Sequence, residues 1–369
     1  MASRDEVEDS GSPAARQSSI KPSPTPIVPF GVGDLTIRAM TASDMSSVAA
    51  YRNDPRVAQY QDWDLPYSVE TALARLAEGH NVSGPTTGEG VNFAIDQRGE
   101  CIGDVYVGLD ATNCVATIGY SLAQRYHGQG LALAAVGALI ERLFALTGVH
   151  RIVATLDPSN FASARLLETL GFGYEGGTLQ SVLIRGQWCD DDQYALLRND
   201  WQVWVHRPRT EPTALSLVHV SAANRAAVTR LVTHHSQERF VAPVMKSLAD
   251  ALFPDSDDGT PHGTPLKPWL RAVEADGELV AFVMMAEPGL VNVEPYLWRL
   301  LVDKFHQRRR IGTRVLELLA QRLGAAGHSS MLVSFLPAVV GSPQRFYLRH
   351  GFVLTGDTNG DEAVARLSF

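Results

Sequence analysis

The stretch Ile118-Gly-Tyr-Ser-Leu-Ala-Gln-Arg-Tyr-His-Gly-Gln-Gly-Leu131 divides into three parts. The apolar run from Val115 to Leu122 has the composition of a strand, and the turn after it holds Arg125, Gly128 and Gly130. An Ala- and Leu-rich amphipathic segment, Leu131 to Leu146, leaves the turn as a helix. A glycine loop at a helix start exposes unpaired backbone N–H groups at the positive end of the helix dipole, which suits an anionic phosphate. The spacing Arg-x-x-Gly-x-Gly is neither a P-loop nor a dinucleotide fingerprint. A plain tight turn has the same composition, so the surroundings decide.

Upstream, Leu35 to Arg38 reads as a strand, followed by a helix opened by Thr41 or Ser43 and a second helix from about Val69 to Ala77. Phe93 to Ile95 and Ile102 to Val107 are strands about the turn Gln97 to Glu100. Downstream, Arg151 to Leu156 is a buried strand, and Ser159 or Asn160 caps a helix that ends at Gly171. Val182 to Ile184 and Tyr194 to Leu197 are strands flanking the turn Arg185 to Trp188.

The same order then returns. Leu217 to Val220 is a strand, Ala222 to Val232 a helix, and Arg271 to Val273 and Leu279 to Met284 are strands about a turn. Tyr296 to Val302 runs into Gln307-Arg-Arg-Arg-Ile-Gly312 and a helix with Ile311, Val315, Leu318 and Leu319 on one face. Gly130 and Gly171 are 41 residues apart, and Gly312 and Gly351 are 39 apart. Two copies of one α/β unit follow from this parallel. The Ser-, Pro- and charge-rich residues 1–33 read as a disordered arm, 34–202 as the first domain, 203–213 as the linker and 214–369 as the second domain.

A chain of 369 residues accommodates two domains of ordinary size. The apolar content of 45% is that of a soluble globular protein, and a net charge of −8 argues against broad nucleic-acid binding. No run reaches the roughly 18 apolar residues of a membrane span. Three scattered cysteines and no apolar leader point to the cytoplasm. The histidines form no ligand cluster, so no metal is expected.

Both halves resemble the GNAT superfamily of acyl-CoA-dependent N-acyltransferases. Residues 34–201 resemble its RimJ/RimL-type branch through Leu35-Thr-Ile-Arg-Ala-Met40, the Arg125–Gly130 loop, Asn160-Phe-Ala-Ser-Ala-Arg-Leu-Leu-Glu-Thr-Leu-Gly-Phe172 and Arg185-Gly-Gln-Trp-Cys-Asp190. Residues 214–369 are similar to diamine or spermidine acetyltransferases through Tyr296-Leu-Trp-Arg-Leu-Leu-Val-Asp-Lys304, Gly341-Ser-Pro-Gln-Arg-Phe-Tyr-Leu-Arg-His-Gly-Phe352 and the C-terminal Gly360-Asp-Glu-Ala-Val-Ala-Arg-Leu367. The resemblance implies two tandem α/β folds, each a mixed, mostly antiparallel sheet flanked by helices and splayed between its fourth and fifth strands around the pantetheine arm of CoA. The activity implied is transfer of an acyl group, acetyl above all, to the primary amine of a small molecule or peptide.

On this resemblance, Arg125, Tyr126, His127, Gly128, Gln129 and Gly130 hold the CoA pyrophosphate, and Ser121 and Leu122 offer backbone groups to the pantetheine and thioester. Asn160 is expected to hold the pantetheine arm and Ser163 to protonate the thiolate, or else the two are simply an N-cap and a first-turn residue. Tyr347 falls at the general-acid position of the second copy, or is a core aromatic. Gln307, Arg308, Arg309, Arg310, Ile311 and Gly312 form the second phosphate loop, with Arg310 where glycine is expected; the arginines either pair with phosphates or face solvent. Trp63 and Asp62 lie between helices that line the acceptor pocket, with Trp63 a wall or a core plug. Asp62, Glu70, Asp104 and Glu294 are candidate bases or surface charges, and Asp190 to Asp192 read as a solvated hairpin turn. Further alternatives are a biosynthetic enzyme using a longer acyl chain or an acyl carrier protein as donor, and a non-catalytic acyl-CoA-binding scaffold.

Overall fold

The computed structural model describes residues 26–78, 83–252, 267–288 and 294–369. The first domain runs β1 (Phe30–Val32), β2 (Leu35–Ala39), α1 (Met45–Arg52), α2 (Pro55–Ala58), α3 (Val69–Glu78), β3 (Gly90–Gln97), β4 (Glu100–Leu109), β5 (Val115–Leu122), α4 (Leu131–Leu146), β6 (Arg151–Leu156), α5 (Phe161–Thr169), β7 (Gly173–Ile184), β8 (Gln187–Leu197) and α6 (Arg198–His206). The second runs β9 (Leu215–His219), α7 (Arg225–Val228), α8 (Val244–Leu252), β10 (Lys267–Ala275), β11 (Glu278–Glu287), β12 (Tyr296–Val302), α9 (Ile311–Ala325), β13 (Ser330–Phe335), α10 (Gln344–Arg349), β14 (Val353–Asn359) and β15 (Glu362–Ser368).

Each domain is built on one mixed, mostly antiparallel sheet. The strand orders are β1-β2-β3-β4-β5-β6-β8-β7 and β14-β15-β13-β12-β11-β10-β9. Each named sheet pairing is antiparallel except β5 with β6 and β12 with β13. These parallel contacts are brief: β5 meets β6 only from Val115↔Arg151 to Thr117↔Val153, and β12 meets β13 only at Tyr296↔Leu332 and Leu297↔Val333. Beyond them the strands part and leave a V-shaped gap in the sheet.

Helices cover both faces. In the first domain α4 buries Ala135, Val136, Leu139, Ile140, Leu143 and Phe144 against the sheet, the helical stripe its sequence announces. On the other face Met45, Val48, Ala49 and Tyr51 of α1 and Ala72 of α3 pack on Ala94 and Cys101. In the second domain Ile311, Val315, Leu316, Leu319 and Leu323 of α9 form the core stripe. Leu318, expected on that face, is at its half-buried edge.

Three expectations change. The arm ends earlier than residue 33: β1 pairs with β2, and Ile27 is fully buried with its N–H bonded to the Ser83 carbonyl at 2.8 Å. Residues 1–25 lie outside the described residues. The supposed linker residues 203–206 are helical, because Trp204 of α6 is buried and donates its indole N–H to the Thr169 carbonyl at 3.1 Å. Gly171, with φ +96°, makes room for that ring; a Cβ there would lie 2.5 Å from it. The helix expected over 222–232 is a single turn, α7, because the Val232 N–H bonds to Asp303 at 3.0 Å and its carbonyl takes the Lys304 N–H at 2.8 Å.

The domains are joined by a polar and aromatic seam. Ser236 gives its N–H and hydroxyl to the two oxygens of Glu168, at 2.8 and 2.6 Å. His235 stacks on Tyr174 with ring centroids 3.6 Å apart, and Trp204 packs edge-on against His234 and Phe305. Burial, with Lys304, Arg308 and Arg207 nearby, lowers the His234 pKa from 6.5 to about 4. In the window between those values the unfolded chain binds a proton that the folded chain does not, so this contribution is complete above pH 6.5 and lost as pH falls. Glu168, raised by burial, titrates in the opposite sense. His234→Phe should therefore show a smaller drop in melting temperature than the wild type when pH is lowered from about 7 to about 5, by several degrees in a calorimetric scan. An equal drop would show that His234 does not carry the dependence.

Candidate active site

The first domain's loop keeps the geometry an anion needs. Gly128 and Gly130 are left-handed, with φ of +73° and +79°, and a Cβ at either meets nothing within 4 Å, so backbone conformation rather than space asks for glycine. The Gly130 carbonyl accepts the Ala134 N–H at 3.0 Å and opens α4, whose first N–H groups have no intrahelical partner. The side chains brace the loop from within. His127 Nε2 donates to the Leu122 carbonyl at 2.9 Å and Gln129 to the Arg125 carbonyl at 2.9 Å. Arg125 is paired with Glu100, which also accepts the Tyr126 hydroxyl at 3.1 Å. The Arg125 and Gln129 side chains, expected near the phosphates, are engaged with the loop and its neighbour, and the loop backbone presents its N–H groups at the start of α4.

In the second domain Arg308 and Arg310 occupy the same two left-handed positions, at φ +63° and +57°, directly ahead of α9. Arg310, not Gly312, is thus the counterpart of Gly130, and the interval from Arg310 to Gly351 equals that from Gly130 to Gly171. Here the loop serves the interdomain segment. Buried Arg309 donates to the Thr210 carbonyl at 2.8 Å, Arg310 lies 3.4 Å from Glu211, and Arg314 donates to the Pro212 carbonyl. Gln307 bonds to Gln237 at 2.7 Å, Ile311 is core, and Gly312 abuts the Phe346 ring. Of the residues Gln307 to Gly312 expected to hold CoA phosphates, Gln307, Arg309 and Arg310 thus have their side chains engaged within the protein, and Arg308 reaches the Thr169 hydroxyl at 3.4 Å.

The gap between β5 and β6 brings together a pair of hydroxyls. Asn160 caps α5, its Oδ1 accepting the Ser163 N–H at 3.2 Å. The Ser163 hydroxyl in turn lies 2.7 Å from the Tyr120 hydroxyl on β5. Burial raises the Tyr120 pKa. No spacing in the sequence marks Tyr120, although it sits inside the decisive stretch, one residue before Ser121.

Beside the gap opens a cleft of about 1030 Å³ between α1, α3, the β3–β5 face and the β7–β8 pair. Asp62, Asp64, Asp157, Asp190 and Asp191 line it, together with Trp63 and Ser121. Trp63 is both wall and plug: its indole N–H donates to the Arg52 carbonyl at 3.1 Å while it packs on the α1 core. Asp104, buried, accepts the Tyr51 hydroxyl and pairs with Arg52 at 3.3 Å. Glu70 caps its own helix start and is held low by hydrogen bonds from its own N–H and Ser68. Asp190 to Asp192 are not a turn but part of β8. Burial raises Asp191, with Asp192 and Asp157 adding repulsion and Thr155 opposing.

Two residues expected in the second domain's site make contacts that hold the fold together. Glu294 clamps Arg366 at 2.7 Å and accepts the Ser330 hydroxyl at 2.5 Å, which ties the ends of three strands. Tyr347 stacks on Phe335 at 5.7 Å within the core, and burial raises its phenol. Among the described residues no group of three or more ligand-type side chains is placed to hold a metal. No helix among them is long and apolar enough to cross a membrane.

Comparisons with known proteins agree with this architecture. The profile of the acetyltransferase (GNAT) domain matches residues 34–173 and that of the acetyltransferase (GNAT) family matches residues 230–352, between them more than half of the chain. The chain belongs to the GNAT acetyltransferases and carries two such domains in tandem; it is an acyltransferase. It is similar to the uncharacterized N-acetyltransferase p20 of Bacillus licheniformis, with 28% identity over 45% of this chain and 94% of that protein. It also resembles the [ribosomal protein uS5]-alanine N-acetyltransferase of Escherichia coli, 40% identical over 23% of this chain and 43% of that protein, so it spans less than half of that relative. Among solved structures, RimJ of Mycobacterium smegmatis in complex with a CoA disulfide aligns at 22% identity and a TM-score of 0.41, covering 47% of this chain and 87% of that one.

If the first loop alone receives the donor, native mass spectrometry with acetyl-CoA should find one CoA per chain. Gly128→Glu should abolish that peak, because a non-glycine residue there costs about 1–2 kcal/mol of strain and the carboxylate repels phosphate. Two CoA per chain, or retention in the variant, would overturn the assignment.

Proposed function

We propose that the first domain transfers an acetyl group from acetyl-CoA to a primary amine of a polycationic acceptor. The observation that carries this reading is the carboxylate-lined cleft opening beside the β5–β6 gap, with the Ser163–Tyr120 hydroxyl pair in the gap and the Gly128–Gly130 loop following β5. A basic peptide N-terminus or a polyamine has the charge to be drawn into such a cleft. The relative named for an alanine of ribosomal protein uS5 supports the peptide form.

A free alkyl amine has a pKa near 10, so only about one molecule in a thousand is neutral at pH 7. In our reading Asp191, whose burial makes it a stronger base than an ordinary aspartate, takes the ammonium proton directly or through one water. The nitrogen then attacks the thioester carbonyl, forming the C–N bond as the C–S bond breaks, and the Ser163 hydroxyl hands its proton to the departing thiolate. Tyr120, hydrogen-bonded to Ser163, fixes that hydroxyl and relays to it the second proton, which the nitrogen sheds once the C–N bond has formed, while Asp191 returns the first to solvent. The second domain contributes the seam rather than a second reaction centre, since its loop is taken up by the interdomain segment. The free thiols Cys101, Cys114 and Cys189 suit a reducing, cytosolic setting.

Ser163→Ala and Asp191→Asn should each lower kcat/KM for a polyamine or basic peptide about a hundredfold, the usual scale of a lost proton-transfer group. Since Asp191 acts deprotonated, the wild-type rate should climb as pH rises through its raised pKa, and Asp191→Asn should lose that limb. An unaltered profile would remove Asp191 as the base. Full activity in Ser163→Ala would remove the acid.

A further inference from the structure

The seam between the domains encloses a cavity of about 210 Å³ that the transfer chemistry does not use. Five cationic side chains line it: Arg165 from α5, Arg207 just past α6, Arg239 ahead of α8, and Lys304 and Arg308 from the corner between β12 and α9. One carboxylate, Glu168, faces them, and both of its oxygens are already held by Ser236. Arg165 lies within electrostatic reach of Glu168, and the other four cations make their contacts with neutral groups. Arg207 lies over the Trp204 ring at 3.6 Å and donates to the Trp204 carbonyl at 2.6 Å. Arg239 lies over Phe161 at 3.8 Å and donates to the Val340 carbonyl, and Arg308 reaches the Thr169 hydroxyl at 3.4 Å. Lys304 sits 5.7 Å from the Phe305 ring.

Gathering like charges around a partly buried space is unfavourable unless something negative enters it. The repulsion is registered in the side chains: burial, then Arg209 and Arg308, bring Arg207 down to about 10. Aromatic rings behind Arg207 and Arg239 fix the guanidinium planes, an arrangement that prepares them for forked hydrogen bonds to an oxyanion. A single carboxylate would bring one charge and two oxygens. A phosphate or pyrophosphate brings at least two charges and oxygens in several directions. The volume is below the ~300–1,000 Å³ of sites for drug-sized ligands, so it admits a small anion or the terminal phosphate of a larger molecule.

We propose that this interdomain cavity binds a phosphate-bearing polyanion through side chains of both domains, apart from the backbone loop at Gly128–Gly130. Because neither domain alone supplies the cations, such an anion joins the two domains and stabilises their docking by mass action. The site does not depend on which amine is acylated, or on whether Ser163 and Asp191 have the roles given above.

Isothermal titration calorimetry of the full chain with inorganic pyrophosphate, at ionic strength held constant with sodium chloride, tests this. In the Gly128→Glu background, where the backbone loop is closed to phosphate, one pyrophosphate per chain is expected, weakened about tenfold or more by Arg207→Gln or Arg308→Asn, the scale of a charged hydrogen bond. Asn tolerates the left-handed backbone at residue 308, and removing the charge relieves repulsion, so Arg308→Asn should melt no lower than the wild type without ligand. That separates lost binding from lost folding. Displacement by CoA but not by dephospho-CoA would assign the phosphate to the donor's 3′-phosphomonoester, and displacement by neither would assign it to a free anion. No heat beyond the chloride control, binding that survives both cation variants, or binding abolished by Gly128→Glu would overturn the proposal.

Discussion

The parallel contact between β5 and β6 lasts for three residue pairs and then stops. That early parting is the constraint on which the first domain's working parts depend. Had the ladder continued past Thr117↔Val153, the inner edges of Ile118 to Leu122 and of Ala154 to Leu156 would bond to each other, with no gap between them. Instead β6 is held on its outer side by β8 along its full length, from Arg151↔Leu197 to Leu156↔Asp192, while its inner side opens. The open edge brings Tyr120 toward Ser163, and the β8 partner brings Asp191 to the rim of the cleft. A gap in a sheet leaves backbone polar groups without ladder partners, an arrangement that suits a ligand carrying amides and a carbonyl of its own.

The second domain has the same parting of strands but spends its loop differently. Its two left-handed positions hold arginine at a cost of about 1–2 kcal/mol each relative to glycine. Contacts to Thr210, Glu211 and Pro212 offset part of that cost by pinning the segment that joins the domains. The backbone shape of the first loop is repeated here, while Arg309, Arg310 and Arg314 reach the segment between the domains.

Much of this was legible in the sequence because the signals were local. The strand, glycine loop and helix of residues 115–146, the Asn160 cap and the repeat depend on periodicity and turn chemistry within short windows. What escaped were features set by contacts distant in the chain. Trp204 reads as linker until Gly171 makes room for it, and Asp190 to Asp192 read as a polar turn until β6 is laid beside them. Glu294 looks like a candidate base until Arg366, far along the chain, is folded onto it. The family resemblance named both folds and the phosphate loop. It placed Tyr347 by position alone, and the packing of Phe335 and Phe352 around that ring could not be read from spacing.

The stacking of His235 on Tyr174 has a mechanical consequence. Tyr174 lies on β7, whose far end, at Val182 and Ile184, forms part of the cleft wall. The wall and the seam are therefore two ends of one β7–β8 ribbon, whose register shifts between Tyr174 and Gly176 and again between Thr178 and Val182. An acceptor that pries the wall outward must bend that ribbon or rock it about its middle, and rocking loads the stacked rings. The His235–Tyr174 stack is thus the point at which any such rocking would reach the second domain.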